Sequence, residues 1–596
     1  MALSNLDWLF VIGFFVLSLV IGIYASKKSG KSSTEFFLGG RNMPWWLLGV
    51  SMVATTFSAD TPNLVTDIVR KNGVSGNWVW WAFLLTGMLT VFVYARLWRR
   101  SNVVTDLEFY ELRYGGKMAA FLRGFRAIYL GVFFNILIMA SVSLAAIKIG
   151  SVLLGLAPWQ TIVIASVITV TYSVMGGLRG VILTDFFQFI MAMIGAVWAA
   201  MVIINLPEIN GLDNLLTHEN VTGKLSLLPD FNDTTQLIPL LILPLAVQWW
   251  SVWYPGAEPG GGGYVAQRML AAKNEKHAVG ATLLFNVAHY ALRPWPWILI
   301  ALASLIMFPD LASLQAAFPN VEANVINDDL AYSAMLTYLP AGLLGLVVAS
   351  LIAAYMSTIS SHLNWGASYV VNDFYKRFVK PEATEKELVS MGRYATVALM
   401  IVSALFALLL SNALQAFNIL LQIGAGTGLI FILRWFWWRI NAWSEISGMI
   451  ISFILAVYLE VLHPMFGFEP IPQHVKLLLG VGLTTAGWLI VTMMTQPENN
   501  EVLANFYNKI RPAPGGWKPV IGYATERKIL TTDTNKGQLP LQILSMVIAC
   551  LMVYSALFAT GYWIYGNTTP AIILTLVSIG GAFFIFSQWK NLMRDE

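Results

Sequence analysis

The chain has 596 residues, of which 57% are hydrophobic and only 11% charged. A soluble domain carries about 25% charged residues, so the composition describes a polytopic membrane protein. One cysteine excludes a disulfide framework or thiolate metal cluster, and the six histidines show no metal-ligand spacing. The net charge of +4 says little by itself, and no nucleic-acid partner is expected.

Roughly fifteen apolar segments reach spanning length. They lie near 7–25, 43–66, 78–98, 126–150, 158–176, 181–205, 236–256, 278–308, 340–373, 391–411, 413–437, 442–462, 475–495, 542–563 and 569–588. The first begins almost at Met1 and is long enough to span, so it reads as a helix and not as a cleaved signal. With the N-terminus outside and the C-terminus inside, loops assigned inside hold about 30 of the 36 Lys and Arg. The exceptions are Arg70, Lys71, Lys224 and Lys476 outside, and Lys148 and Arg293 within spans. A miscounted segment would invert this bias downstream.

The second segment carries Thr55, Thr56, Ser58, Asp60, Thr61 and Pro62 at bilayer depth. Pro62 donates no backbone hydrogen bond and pushes Thr61 away from helical dihedrals. A broken helix in a membrane is tolerated only inside a bundle, and such breaks are where secondary transporters bind ions and substrate; the bland alternative is a proline kink. Arg96 to Gly116 reads as an amphipathic inside connection, with Thr105 or Asp106 capping a helix. Asp185 then falls in an apolar run, where a carboxylate needs a cation, a wet cavity or a buried ion pair.

The second interruption comes five segments after the first, in LPLAVQWWSVWYPGAEPGGGGYVAQR (Leu243 to Arg268). Pro255, Pro259 and Gly260 to Gly263 cannot continue a helix. The run lacks the strand, lysine and hydroxyl of a phosphate-binding loop. Breaks at matching places in two halves point to an inverted repeat with a central site. The chain therefore divides into 1–42, an extra helix and loop; 43–208 and 236–440, two five-helix repeats; and 441–596, peripheral helices with an inside linker at 496–541. Ala354, Ser357, Thr358 and Ser361 share a helical face, with Ser360 beside it. Sodium is a hard cation that takes oxygen ligands, so these hydroxyls plus carbonyls freed at Ala54 and Phe57 would form a shell. Small polar residues also serve close helix packing.

With these residues in place, FFLGGRNMPWWLLGVSMVATTFSAD, TDLEFYELRYGG, YSVMGGLRGVILTDFFQ, YVAQRMLAAKN and NDFYKR resemble the sodium:solute symporter family over about Trp8 to Leu462. The resemblance implies an all-α, leucine-transporter-like 5+5 inverted-repeat fold and a main sodium site at Ala54, Phe57, Ala354, Ser357 and Thr358. It also implies a second sodium site at Asp185, Ser357, Ser360 and Ser361. An aromatic inner gate maps to Trp253 and Tyr254. The sugar carriers' glutamine next to the first-break acid is Thr61 here, and their glutamate in the following helix falls within Val79 to Trp81. The expected cavity comprises Asp60, Thr61, Trp78, Trp81, Trp250, Trp253, Tyr254, His289, Arg293 and Gln422. Its aromatic faces suit sugar rings or quaternary ammonium groups; Arg293 suits a carboxylate, or else a structural ion pair with Asp60 or a helix C-terminus.

The expected activity is sodium-coupled import of a small organic solute, with the bilayer, two sodium ions and the solute as partners, in a plasma membrane of the bacterial inner type. A sugar or polyol is the first expectation and a small carboxylate such as a sialic or amino acid the alternative. A channel or proton relay would need more charged residues at helix centres. An enzyme would need a metal motif or a nucleophile–base arrangement.

Overall fold

The computed structural model describes residues 3–252, 258–319, 321, 326–409, 426–530 and 538–593. Among them there are helices, connecting loops and one isolated β-bridge, between Met43 and Ala272. The principal helices are α1 (Asn5–Ser29), α2 (Trp45–Thr56), α3 (Thr61–Asn72), α4 (Val74–Ser101), α5 (Gly116–Ile147) and α6 (Pro158–Ile204). Next come α7 (Thr234–Ala246), α8 (Gly263–Ala271), α9 (Glu275–Met307), α10 (Leu343–Val379), α11 (Glu385–Leu409) and α12 (Gly428–Phe436). The last are α13 (Ala442–Met465), α14 (Gln473–Met494), α15 (Asn500–Ile510), α16 (Lys518–Glu526), α17 (Leu539–Ile564) and α18 (Thr568–Leu592).

Eleven of the described helices are long and apolar enough to cross a bilayer. The difference from the roughly fifteen expected segments arises in four places. Segments 158–176 and 181–205 form the single run α6, bent at Gly177 (φ 53°, ψ −160°), where an added Cβ would sit 2.7 Å from the Phe36 carbonyl oxygen. Segments 43–66 and 236–256 are divided into pieces shorter than a span. Most of 413–437 lies outside the described residues.

The bundle is built around α10. About 89% of its apolar window is buried, against 17% for α18. The outer helices instead expose rows of large apolar side chains, such as Leu9, Ile12 and Val16 on α1 and Leu576, Ile579 and Phe583 on α18. Such faces are stable against acyl chains and costly in water. Asp7 serves two helix starts at once: it closes a capping box with Ser4 on α1, and its Oδ1 accepts the Gly342 and Gly345 amides, each at 2.7 Å, at the start of α10. Gly345 permits this, because a Cβ there would lie 2.2 Å from the Asp7 Cα.

Three readings of the sequence change. Thr105 and Asp106 do not cap the helix Glu108–Arg113, which starts after Leu107 without a side-chain cap. They are tertiary links: Thr105 donates to Asp373 at 2.9 Å, while Asp106 accepts the Gly263 amide at 2.9 Å and the Tyr369 hydroxyl. The linker 496–541 contains the packed helices α15 and α16; Phe506 stacks on the buried Trp517, whose Nε1 donates to the Trp435 carbonyl at 2.9 Å. Finally, α17 is not peripheral. Tyr554 donates to the Trp81 carbonyl, and Trp295 of α9 donates to the Leu557 carbonyl, both at 2.9 Å. Gly561 leaves room for the Trp295 ring.

Candidate functional site

Helix α2 ends at Thr56, six residues before Pro62. Phe57 (φ −94°, ψ 84°) leaves helical geometry, and α3 restarts at Thr61 with Pro62 in its first turn. Proline is tolerated there because first-turn amides have no partner within the helix. The break is thus Phe57–Asp60. Asp60 makes no capping hydrogen bond and is exposed. The second break separates α7 from α8 through Gly260 (φ 90°) and Gly261 (φ 86°). The Trp98 indole donates to the Gly260 carbonyl at 2.8 Å, and the Tyr94 ring leaves no room for a side chain at that position.

The hydroxyl face of α10 meets α2 just below the first break. Thr358 donates to the Thr55 carbonyl at 2.9 Å, and the Thr55 and Ser361 hydroxyls lie 2.9 Å apart. Ala354 and Ser357 are buried on the same face. Of the expected main-site residues, Thr358 is thus tied to the end of α2, while Ala54 lies in the last turn of α2 and Phe57 in the break. The arrangement supplies hydroxyl oxygens next to backbone leaving the helical ladder, which is chemistry for a hard monovalent cation.

Asp185 of α6 lies beside this face, fully buried. Its Oδ1 accepts from Ser357 at 2.7 Å and its Oδ2 from Ser51 at 2.5 Å. Ser360 donates to the Ser357 carbonyl of its own helix at 3.1 Å. Ser361 instead accepts from Arg268 of α8 at 2.5 Å, and the Arg268 Nη2 stands 3.8 Å from Asp185 Oδ2. Ser51, Thr55 and Arg268 were not singled out as ligands by the sequence. The signal was present in the Gln267–Arg268 pair, but a cation at the end of an inside segment reads equally as part of the positive-inside bias.

Around the first break, the Thr56 hydroxyl lies 3.2 Å from His289 Nδ1, and the Thr61 hydroxyl reaches back to the Thr56 carbonyl at 3.5 Å. Trp80 stands edge-on to His289 (centroids 5.7 Å apart) and stacks on Tyr290 at 5.8 Å. Of the three tryptophans at the start of α4, it is Trp80, not the expected pair Trp78 and Trp81, that meets His289. Trp78 and Trp81 turn toward α17, packing on Tyr554 and Phe558; Trp81 is fully buried and the Trp78 indole donates to the Leu227 carbonyl. They are packing residues because the helix register leaves only one of the three facing α9. Arg293 is 2% exposed, with its guanidinium over Trp297 (5.2 Å) and Phe57 (5.9 Å) and one weak donation to the Val53 carbonyl at 3.4 Å. Among the described residues it forms no ion pair, including none with Asp60. Trp250 packs edge-on to Trp249 at 5.4 Å, and the Trp249 carbonyl accepts from Thr86 of α4. Trp253, Tyr254 and Gln422 lie outside the described residues.

A helical membrane bundle with two interrupted helices, and an oxygen-rich cage where one of them meets a buried hydroxyl face, has the makings of an ion-coupled carrier. A profile of the sodium:solute symporter family matches residues 36–452. The chain belongs to that family, whose members are sodium-coupled membrane transporters and not enzymes. It is 25% identical to a sodium/glucose cotransporter of Vibrio parahaemolyticus over 476 residues, covering 77% of this chain and 86% of the relative. It is 27% identical to a sodium/mannose cotransporter of Bos taurus, covering 78% and 80% of the two chains. A sodium/myo-inositol cotransporter of Oryctolagus cuniculus is 26% identical, with 83% and 77% covered. In fold, the chain is similar to the solved substrate-bound outward-open state of a sodium-coupled sialic acid symporter, at 21% identity and TM-score 0.65, covering 83% of this chain and 99% of that one.

Proposed function

We propose that this protein imports a neutral sugar or polyol together with sodium by alternating access, in a plasma membrane of the bacterial inner type with its N-terminus outside. The observation that carries the reading is the junction of α2 and α10, where Thr358 bonds to the Thr55 carbonyl at the edge of the first break. The main sodium is held by the carbonyls of Ala54, Phe57 and Ala354 and the hydroxyls of Ser357 and Thr358; a second uses Asp185, Ser357, Ser360 and Ser361. Segments 43–208 and 236–440 form the two inverted repeats that rock against each other. Sodium ties α2 to α10 and orders the cavity, and substrate binding then favours closure of the outer side.

The residues around the first break support the substrate class. Thr56, Asp60 and Thr61 offer oxygen atoms to hydroxyl-bearing solutes, while Trp80 and His289 offer flat faces. Trp250 and, outside the described residues, Trp253, Tyr254 and Gln422 complete the set. The sugar and polyol carriers among the relatives support the same class. One observation favours a carboxylate-bearing solute instead: buried Arg293 has no ion-pair partner among the described residues, and its planar fork would match a carboxylate.

Each sodium contributes about 2.3 kcal/mol per 100 mV and about 1.4 kcal/mol per tenfold gradient. Two ions then support on the order of 10⁵-fold accumulation in the ideal limit. The test is electrogenic uptake in proteoliposomes under an inward sodium gradient, with sugars, polyols, sugar acids and amino acids offered in turn. Current requiring both sodium and a neutral sugar or polyol supports the proposal. Current with sugar acids alone moves the assignment to Arg293, and a sodium leak without any substrate dependence overturns symport.

A further inference from the structure

We propose that Arg268 is a tethered cation that shares the second sodium site, so that sodium and the Arg268 guanidinium occupy the Asp185 cage in alternation. This rests on the second-site assignment made above and adds a competitor built into the chain.

A buried carboxylate at membrane depth needs a positive charge beside it. Here Arg268 provides it. Both side chains are fully buried, with Nη2 3.8 Å from Asp185 Oδ2. The same Nη2 donates to Ser361 at 2.5 Å and to Thr55 at 3.4 Å, Nε donates to Ser51 at 3.3 Å, and Nη1 donates to Gln267 at 3.0 Å. Carboxylate, hydroxyl and amide oxygens make up this set, and they are the ligands a sodium ion would take. One cage cannot serve both cations. At about 4 Å separation and an effective dielectric near 20, repulsion between two unit charges weakens binding on the order of a thousandfold.

The contact is also built to be released. Asp185 and Arg268 do not form a bidentate pair; Ser51 bridges them, and at 3.8 Å the pair lies well outside the distance of a charge-assisted hydrogen bond. Arg268 stands on α8, a nine-residue helix that follows the glycine run Gly260–Gly263. Three of those glycines have positive φ: Gly260 at 90°, Gly261 at 86° and Gly263 at 55°. Gln267 latches the helix through the Phe37 carbonyl (3.0 Å) and Asn364 (2.8 Å). Sodium entering the cage expels the guanidinium and with it frees α8. Occupancy of the second site is thereby linked to the position of the half-helix after the second break.

The experiment is equilibrium binding of radioactive sodium to purified full-length protein in nanodiscs, without substrate. Wild type is expected to show one tight and one weak class of site. Arg268→Gln should tighten the weak class at least tenfold, Arg268→Lys should leave it weak, and Asp185→Asn should remove it while the tight class remains. An unchanged or weakened second class in Arg268→Gln overturns the proposal and leaves symport standing. Absence of any sodium binding in wild type overturns the sodium assignment itself. Should Arg268→Gln fail to fold, nitroxides at the exposed Lys31 and Lys273 decide, since the one cysteine, Cys550, is buried. Sodium should lengthen that distance in the Arg268-containing protein and not in Asp185→Asn; a distance independent of sodium overturns the proposal.

Discussion

Two regions of this molecule bury charge, and they do it differently. In the cage at the first break, Asp185 and Arg268 stand 3.8 Å apart with hydroxyls between them. Along α5 three pairs are short, Arg126–Glu258 at 2.5 Å and Arg123–Asp373 and Arg123–Glu111 each at 2.7 Å, while the pairs Glu445 of α13 makes with Arg126 and with Arg434 of α12 are 3.5 and 3.4 Å. The arginines there also lie over aromatic rings, Arg434 at 4.7 Å from Phe109 and Arg113 at 4.8 Å from Trp517. A tight desolvated pair resists separation, because removing one partner strands a buried charge. A charge solvated by hydroxyls can change partners, because those hydroxyls rotate to suit whichever cation arrives. The first region is arranged for exchange and the second for holding.

The largest expected effect tests the exchanging region. Ser357→Ala removes a ligand shared by both proposed sodium sites and one of the Asp185 hydrogen bonds. It should abolish sodium-driven uptake in proteoliposomes while leaving the folded protein in the membrane; normal uptake would remove Ser357 from the site. Next, Arg126→Gln in the holding region should cost about 3–5 kcal/mol of stability, because Glu258 is left buried without its cation. Thermal unfolding in detergent measures this, and the double substitution Arg126→Gln/Glu258→Gln should recover much of the loss. Equal losses in the single and double variants would show that the pair does not act as a unit.

Trp80→Ala should raise the substrate KM about tenfold through lost ring contact of about 1.4 kcal/mol, with the sodium dependence unchanged. Trp78→Ala should instead lower stability, since that ring packs against Tyr554 and Phe558. The smallest effect concerns pH. Asp106, in the connection between α4 and α5, is pushed above the ordinary carboxylate range, chiefly by burial and then by Glu258, against its hydrogen bonds from Tyr369 and Gly263. A raised folded pKa means the folded state holds a proton that the unfolded state has lost. Stability from this group is therefore present at acid pH and falls as pH climbs above the ordinary carboxylate range. Asp106→Asn should flatten that part of the stability–pH curve; an unaltered slope would assign it elsewhere.

Both breaks could be read in the chain because helix termination is local: Pro62 and Gly260 to Gly263 disrupt hydrogen bonding wherever they lie. The hydroxyl face of α10 was legible for the same reason, since spacing of three and four residues fixes which side chains share a face. Asp185 stood out because a carboxylate in an apolar run is costly in any fold. What the sequence by itself determined, then, was where helices stop, which face of α10 is polar and which family the chain resembles. Tertiary structure decided the partners. It turned Trp80 toward His289 and sent Trp78 and Trp81 to α17, because the rotation of a helix about its axis is set by its neighbours and not by its composition. It also carried Arg268 into a cage formed by α2, α6 and α10. No spacing rule could anticipate that contact, because residues 83 positions or more apart on separate helices meet only when the bundle closes.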